Sequence, residues 1–132
     1  MTEDERSIDH LEVMLDSARQ GTSLVEGMDL AEFLADDRTQ LALSMVLVNI
    51  GEMASRVMRR NPGLVARHLE MPWQQMTNMR NRIAHGYDRI DFNIVWDIAR
   101  DSLPVLVSEI PTVLKPLLEA FDPPKPPPTP DP

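Results

Sequence analysis

A chain of 132 residues suits one domain with a single core, and its 42% apolar content rests on aliphatics and nine methionines rather than on aromatics. Helix formers dominate and β-branched runs are scarce, which predicts an all-α fold. The absence of cysteine excludes disulfides and thiolate metal sites, and the net charge of −8 argues at first sight against a nucleic-acid partner.

The amino terminus, Met1-Thr2-Glu3-Asp4-Glu5, is acidic and polar, the opposite of a secretory signal. Thr2 and Glu5 have capping-box spacing, and Ile8, Leu11, Leu15 and Ala18 follow on one helical stripe. Gly21 is a natural stop, so a first helix is predicted over residues 3–20. A weakly patterned stretch follows, in which Met28, Phe33 and Leu34 are candidate anchors for a loop or helical turn. Residues 38–60 read as a long central helix. Its apolar residues form two stripes, Leu41, Met45, Val48 and Leu43, Leu47, Ile50, Ala54, Val57, so burial on two sides is expected.

Asn61-Pro62-Gly63 ends that helix, and a short one is predicted over residues 64–69. Pro72 occupies a first helical position, followed by the stripe Trp73, Met76, Met79, Ile83. Gly86 closes this helix and leaves His85 in its last turn. Asp91 is the expected N-cap of the next helix, with Val95, Ile98, Ala99, Leu106 and Val107 inward. Pro104 should kink or split it, and Pro111 should open a final short helix ending near Phe121. The expected architecture is an antiparallel bundle of four to five main helices over residues 1–121. From Asp122 seven of the last eleven residues are proline, predicting a polyproline-like tail outside the core. No apolar run approaches the roughly 20 residues a bilayer requires, so no membrane partner is expected and the chain reads as cytoplasmic.

Charge is unevenly spread. Seven arginines lie from Arg56 to Arg89 against only Glu70 and Asp88, a local excess of five positive charges on an otherwise acidic chain. Such a region can hold phosphate, with steep salt dependence. The alternative is a solvated arginine-rich face in which Arg82 pairs with an acid such as Glu70 or Asp88.

The dense polar cluster is Arg80-Asn81-Arg82-Ile83-Ala84-His85-Gly86-Tyr87. Arginine offers a planar fork that matches phosphate oxygens, and histidine moves protons near neutrality. These suffice for metal-free RNA cleavage: His85 takes the 2′-hydroxyl proton or protonates the leaving 5′-oxygen, and Arg80 stabilises the phosphorane. Five residues of ideal helix rotate roughly 500°, so Arg80 and His85 should point about 140° apart. Either the helix unwinds near Gly86, or a second copy completes the site across a two-fold axis, which is the arrangement expected here. On chemistry alone such a triplet of Arg, His and Tyr is more often structural, with His85 satisfying the last helical carbonyls.

The same segment, with Met71-Pro72-Trp73, Asp91, Val95-Trp96, Gln40-Leu41-Ala42 and Asn49-Ile50-Gly51-Glu52 in register, resembles the HepT-like ribonuclease toxins of the HEPN superfamily over roughly residues 6–115. The family's Arg-x4-His-x-Tyr motif falls on Arg80, His85 and Tyr87. The resemblance implies a HEPN-like helical homodimer that cleaves RNA without a cofactor. It further implies a minimal nucleotidyltransferase antitoxin that silences the toxin by attaching AMP to Tyr87. Arg80 and His85 become catalytic. Asn81, Arg82 and Arg89 become cleft or RNA contacts, and Glu52 a candidate partner of Arg80. A mid-helix glycine such as Gly51 marks close helix approach. Two rivals stand beside this: a non-catalytic helical adaptor for a nucleotidyltransferase or nucleotide, and a dimerisation module using its proline tail as a ligand arm.

Overall fold

A computed structural model describes residues 2–121 and 127–130. The expected tail falls largely outside the described residues; within it, 127–130 are exposed and without regular structure. Among the described residues all regular structure is helical. The α-helices are α1 (Glu3–Leu24), α2 (Leu30–Leu34), α3 (Asp37–Arg60), α4 (Pro62–Arg67), α5 (Trp73–Gly86), α6 (Phe92–Asp97) and α7 (Leu103–Phe121). A 3₁₀ turn, Tyr87–Arg89, follows α5, and a π-helical turn, Ile98–Ser102, joins α6 to α7.

Local chemistry sets most of the starts. The Thr2 hydroxyl accepts from the Glu5 N–H, Asp29 and Glu32 form a reciprocal capping box, and Asp36 accepts from the Thr39 N–H. Asn61 serves twice: its side-chain oxygen caps α4, while its amide donates to Asp4 and Ser7 of α1 at 2.8 and 3.0 Å. The buried Gln40 amide donates to the carbonyls of Phe33 and Leu34, fastening α2 to α3.

The helix α3 is central, packed by α1 on one side and α5 on another, while α7 lies against α1. By length and composition α3 is apolar enough to cross a bilayer; here it is the spine of the bundle. Leu43, Leu47, Ile50, Ala54 and Val57 are buried, but the second stripe is not: Leu41 and Met45 are 55% and 59% exposed. Burial on two sides therefore holds only for faces met by α1 and α5.

Three expected helices differ in their boundaries, the short one expected over residues 64–69 spanning Pro62–Arg67. The first helix runs past Gly21 to Leu24, because Gly21 is a buried contact, where a Cβ would meet Leu103 Cδ1 and Val46 Cγ1. The chain turns instead at Gly27, whose φ of 76° lies in the left-handed region glycine favours. Pro111 likewise opens nothing; it and Pro116 lie inside α7. The buried stripe of Leu106, Ile110, Val113, Leu114 and Leu117 holds the helix together despite two missing N–H donors. Pro104 does perturb its surroundings. Its ring cannot bond the Arg100 carbonyl, and the preceding turn widens so that the Leu103 N–H reaches the Ile98 carbonyl.

Candidate functional site

The helix α5 begins where Pro72 and the Trp73 indole, which donates to the His68 carbonyl at 2.9 Å, fix the approach of the chain. Trp73, Met76 and Ile83 are its buried face. The seat of α5 on α3 is set by Gly51: a Cβ there would run into Arg80 Cβ and would lie 2.5 Å from the Met76 carbonyl oxygen. Only a hydrogen at position 51 lets the backbone of α5 come this close, so Gly51 places the Cα of Arg80 directly over α3.

That close seating determines what the Arg80 guanidinium meets. Nη2 lies 3.2 Å from Glu52 Oε2, and Nη1 donates to Asn81 Oδ1 at 2.8 Å. Nε is buried without an acceptor among the described residues. Glu52 also accepts from Arg56 Nε at 3.3 Å, so one carboxylate serves two arginines. The Arg80 side chain remains one-third exposed, at 33%. Both ends of its fork are engaged, one by Glu52 and one by Asn81, and its partial exposure leaves the outer edge of the guanidinium open to solvent.

His85 lies elsewhere. Helix α5 carries the chain through His85 and leaves helical dihedrals at Gly86 (φ −150°, ψ 40°), and His85 is exposed to solvent. There it lines an open cleft of about 420 Å³ between the end of α5, the 3₁₀ turn and α6. Asn81, Arg82 and Arg89 share that rim, while Ile83, Ile90, Ile94 and Val95 line the cleft beneath them. The expected unwinding near Gly86, one of the two ways of joining Arg80 to His85, comes only after His85, so the stretch from Arg80 to His85 stays helical. Within one chain the link between them is Asn81, which holds Arg80 through Oδ1 and also lines the cleft.

The remaining charges are arranged consistently. Among the described residues neither Arg82 nor Arg89 has a carboxylate at ion-pair distance; Glu70, offered above as a partner for Arg82, instead meets His68 Nδ1 at 3.1 Å. Asp91 is the acid at the cleft. Its carboxyl is held below the ordinary range by hydrogen bonds from the Asn93 side-chain amide and the Asn93 backbone N–H, the contacts that also cap α6. Tyr87 is 44% exposed, its ring meeting Phe92 edge-on at 6.4 Å. Phe92 in turn meets the buried Phe33 at 6.3 Å, so the exposed tyrosine has its ring braced on the core. Among the described residues no cluster of His, Asp and Glu has the makings of a metal site.

The sequence singled out the polar residues of this region but missed the apolar ones. Ile90 and Ile94 carry no local signal, because a cleft wall supplied by a neighbouring helix looks in sequence like any core stripe.

A family model described as ribonuclease HepT-like matches residues 14–113, three-quarters of the chain. The chain belongs to the HepT-like ribonuclease family. Similar curated proteins agree. A Methanocaldococcus jannaschii protein named as an RNase, MJ0127, is 28% identical over 102 residues, covering 77% of this chain and 82% of its own. A Thermococcus cleftensis protein named as a ribonuclease HepT is 28% identical over 98 residues, 74% of this chain and 86% of its own. A second M. jannaschii protein named as an RNase, MJ1380, is 29% identical over 100 residues, 76% and 89% of the two chains. No solved structure matches the chain. The all-α HEPN-like bundle and the ribonuclease family membership expected from the residues both stand.

Proposed function

We propose that this HepT-like protein is a metal-independent endoribonuclease, the toxin of a cytoplasmic toxin–antitoxin pair, and that it acts as a homodimer. The observation that carries this reading is that Arg80 is held at Glu52 of α3 while the exposed His85 lines the cleft toward α6, a helical rotation of about 140° away. One chain offers Arg80 without a proton shuttle beside it, and His85 beside Arg82 and Arg89 but without Arg80. A two-fold axis beside α5 brings Arg80 of one copy to His85 of the next, and isologous symmetry forms that pairing twice.

In such a site His85 accepts the proton of the RNA 2′-hydroxyl as that oxygen attacks the adjacent phosphorus. The P–O5′ bond breaks, a 2′,3′-cyclic phosphate forms, and the 5′-oxygen leaves with a proton from an imidazolium. Arg80 places two N–H donors against the non-bridging oxygens, where charge accumulates. Glu52 orients the guanidinium without entering the chemistry.

Silencing falls to Tyr87. A nucleotidyltransferase antitoxin directs the phenolic oxygen onto the α-phosphorus of ATP, pyrophosphate leaves, the phenolic proton is lost, and an adenylate remains on the ring. That anion, fixed beside the cleft, competes with RNA for the positive field of Arg82 and Arg89.

The test uses purified protein and RNA in chelator. Cleavage is expected from the native protein and not from His85→Ala or Arg80→Ala; His85→Ala should leave the melting temperature unchanged, since the imidazole is exposed. Mixing the two inactive variants should restore about a quarter of native activity, because half the dimers are mixed and each rebuilds one of two sites. No recovery sinks the shared site. Equal cleavage by native and His85→Ala protein sinks the assignment of His85 and leaves the adaptor reading.

A further inference from the structure

The cleft beside His85 is divided by chemistry. Its floor is aliphatic, from Ile83, Ile90, Ile94 and Val95, while Arg82 and Arg89 stand on the rim. A wholly apolar occupant would strip water from two guanidinium groups and give nothing back. A small anion would leave the aliphatic floor wet. A flat ring joined to a phosphate answers both, and a volume of about 420 Å³ falls in the range of small-ligand sites, roughly 300–1,000 Å³.

We infer that this cleft is a nucleotide subsite contained within one chain, in which a base of single-stranded RNA lies on Ile90 and Ile94 and its phosphate bridges Arg82 and Arg89. The ligand's identity as RNA rests on the nuclease reading; the division of the cleft does not. Only an unpaired base can be splayed out to lie on such a floor, so duplex RNA is excluded. The floor carries no hydrogen-bonding side chain, and the Asp91 oxygen facing Asn93 is already occupied by two donors. Stacking without edge readout tolerates any base. The subsite therefore fixes where the strand lies relative to His85 and contributes little sequence preference.

The full-length protein, labelled at its isoleucine methyl groups, would be titrated by NMR with the four nucleoside monophosphates, ribose 5-phosphate and inorganic phosphate. All four nucleotides should shift the Ile90 and Ile94 methyls, and ribose 5-phosphate should bind about tenfold more weakly for want of the base. Ile94 is 43% exposed, so Ile94→Ser should fold normally. That variant should lose most of the preference for nucleotides over ribose 5-phosphate, and Arg89→Ala should weaken every phosphate ligand. Equal affinity for phosphate and nucleotide overturns the subsite. So does an Ile94→Ser protein that binds nucleotides normally but no longer sediments as a dimer, which would give the cleft to a second copy of the chain. Cleavage that depends on His85 without nucleotide binding overturns the subsite and leaves the nuclease standing. Nucleotide binding without cleavage supports the subsite and removes the nuclease.

Discussion

Gly51→Ala adds one methyl group at the point where α3 and α5 come closest, directly beneath Arg80. The new Cβ would overlap Arg80 Cβ, lie 2.5 Å from the Met76 carbonyl oxygen and 3.1 Å from Arg80 Cγ. Two of these obstacles are a backbone atom and a Cβ, neither of which swings aside as a side-chain tip does. The helices must part, which costs about 2–3 kcal/mol, the upper part of the range for overpacked cores because neither obstacle can swing aside. Alanine recovers about 1 kcal/mol of helix propensity. The net loss is therefore about 1–2 kcal/mol, and for a chain of this size the midpoint falls by about 3–10 °C. Thermal melts followed by circular dichroism measure it, with Gly86→Ala as the control. At Gly86 a Cβ meets nothing within 4 Å and φ is −150°, so alanine there should be neutral or slightly stabilising. RNA cleavage assayed well below both midpoints should fall for Gly51→Ala and persist for Gly86→Ala, because only the first displaces Arg80. A Gly51→Ala protein as stable and as active as the native one would refute the close seating of α5 on α3.

Glu52→Gln keeps the shape of the side chain and removes the charge facing Arg80. With both partners about a third exposed, 33% and 30%, stability should change by less than about 1 kcal/mol. Cleavage should drop about tenfold through loss of orientation, in kcat rather than KM. Tyr87→Phe removes one hydroxyl from an exposed residue, so melting and RNA cleavage should be unchanged while mass spectrometry after co-expression with a nucleotidyltransferase shows no added AMP; retained adenylation would move the acceptor elsewhere. His10 has its pKa lowered from 6.5 by burial first and then by Arg56 and Arg60. The unfolded chain therefore takes up a proton below pH 6.5 that the folded chain resists, so stability should fall as pH drops below that value, and His10→Gln should flatten the slope. An unaltered slope would place the acid sensitivity in another group.

The legible parts of the fold were those in which local chemistry and burial agree. Asp91 caps a helix because its carboxylate reaches the Asn93 N–H, and nothing in the tertiary structure contests it. Asn61 and Pro62 end α3 for equally local reasons, although the short helix that follows starts at Pro62 rather than at the expected residue 64. The misread positions are those where packing overrules propensity. Gly21 looks like a stop from its own sequence, yet its lack of a side chain is used sideways, against Leu103 and Val46. Pro111 looks like a start, yet Ile110 and Val113 beside it are completely buried, and the burial on either side carries α7 through it. Gly51 was readable because a glycine in the middle of a helix has no local justification, so its reason had to be a neighbour.

The site divides along the same line, and the division says what a dimer must do. Helical rotation alone separates residues 80 and 85 by about 140°, and the structure keeps that separation, with Arg80 over α3 at Glu52 and His85 on the far cleft. What rotation could not reveal is that each half has its own support. Arg80 is held by Glu52 and Asn81, and His85 stands beside two arginines without carboxylate partners among the described residues. A guanidinium already fixed by a carboxylate and an amide needs no partner chain to position it; under the proposed mechanism a partner would supply only the base. In the proposed dimer the partner's contribution is thus reduced to a rigid-body placement of two preformed half-sites. Dimer affinity and catalytic geometry then become separable: weakening the interface should lower activity in proportion to the dimer lost, with kcat per dimer preserved. Loss of kcat per dimer on dilution would show instead that the half-sites are shaped by assembly.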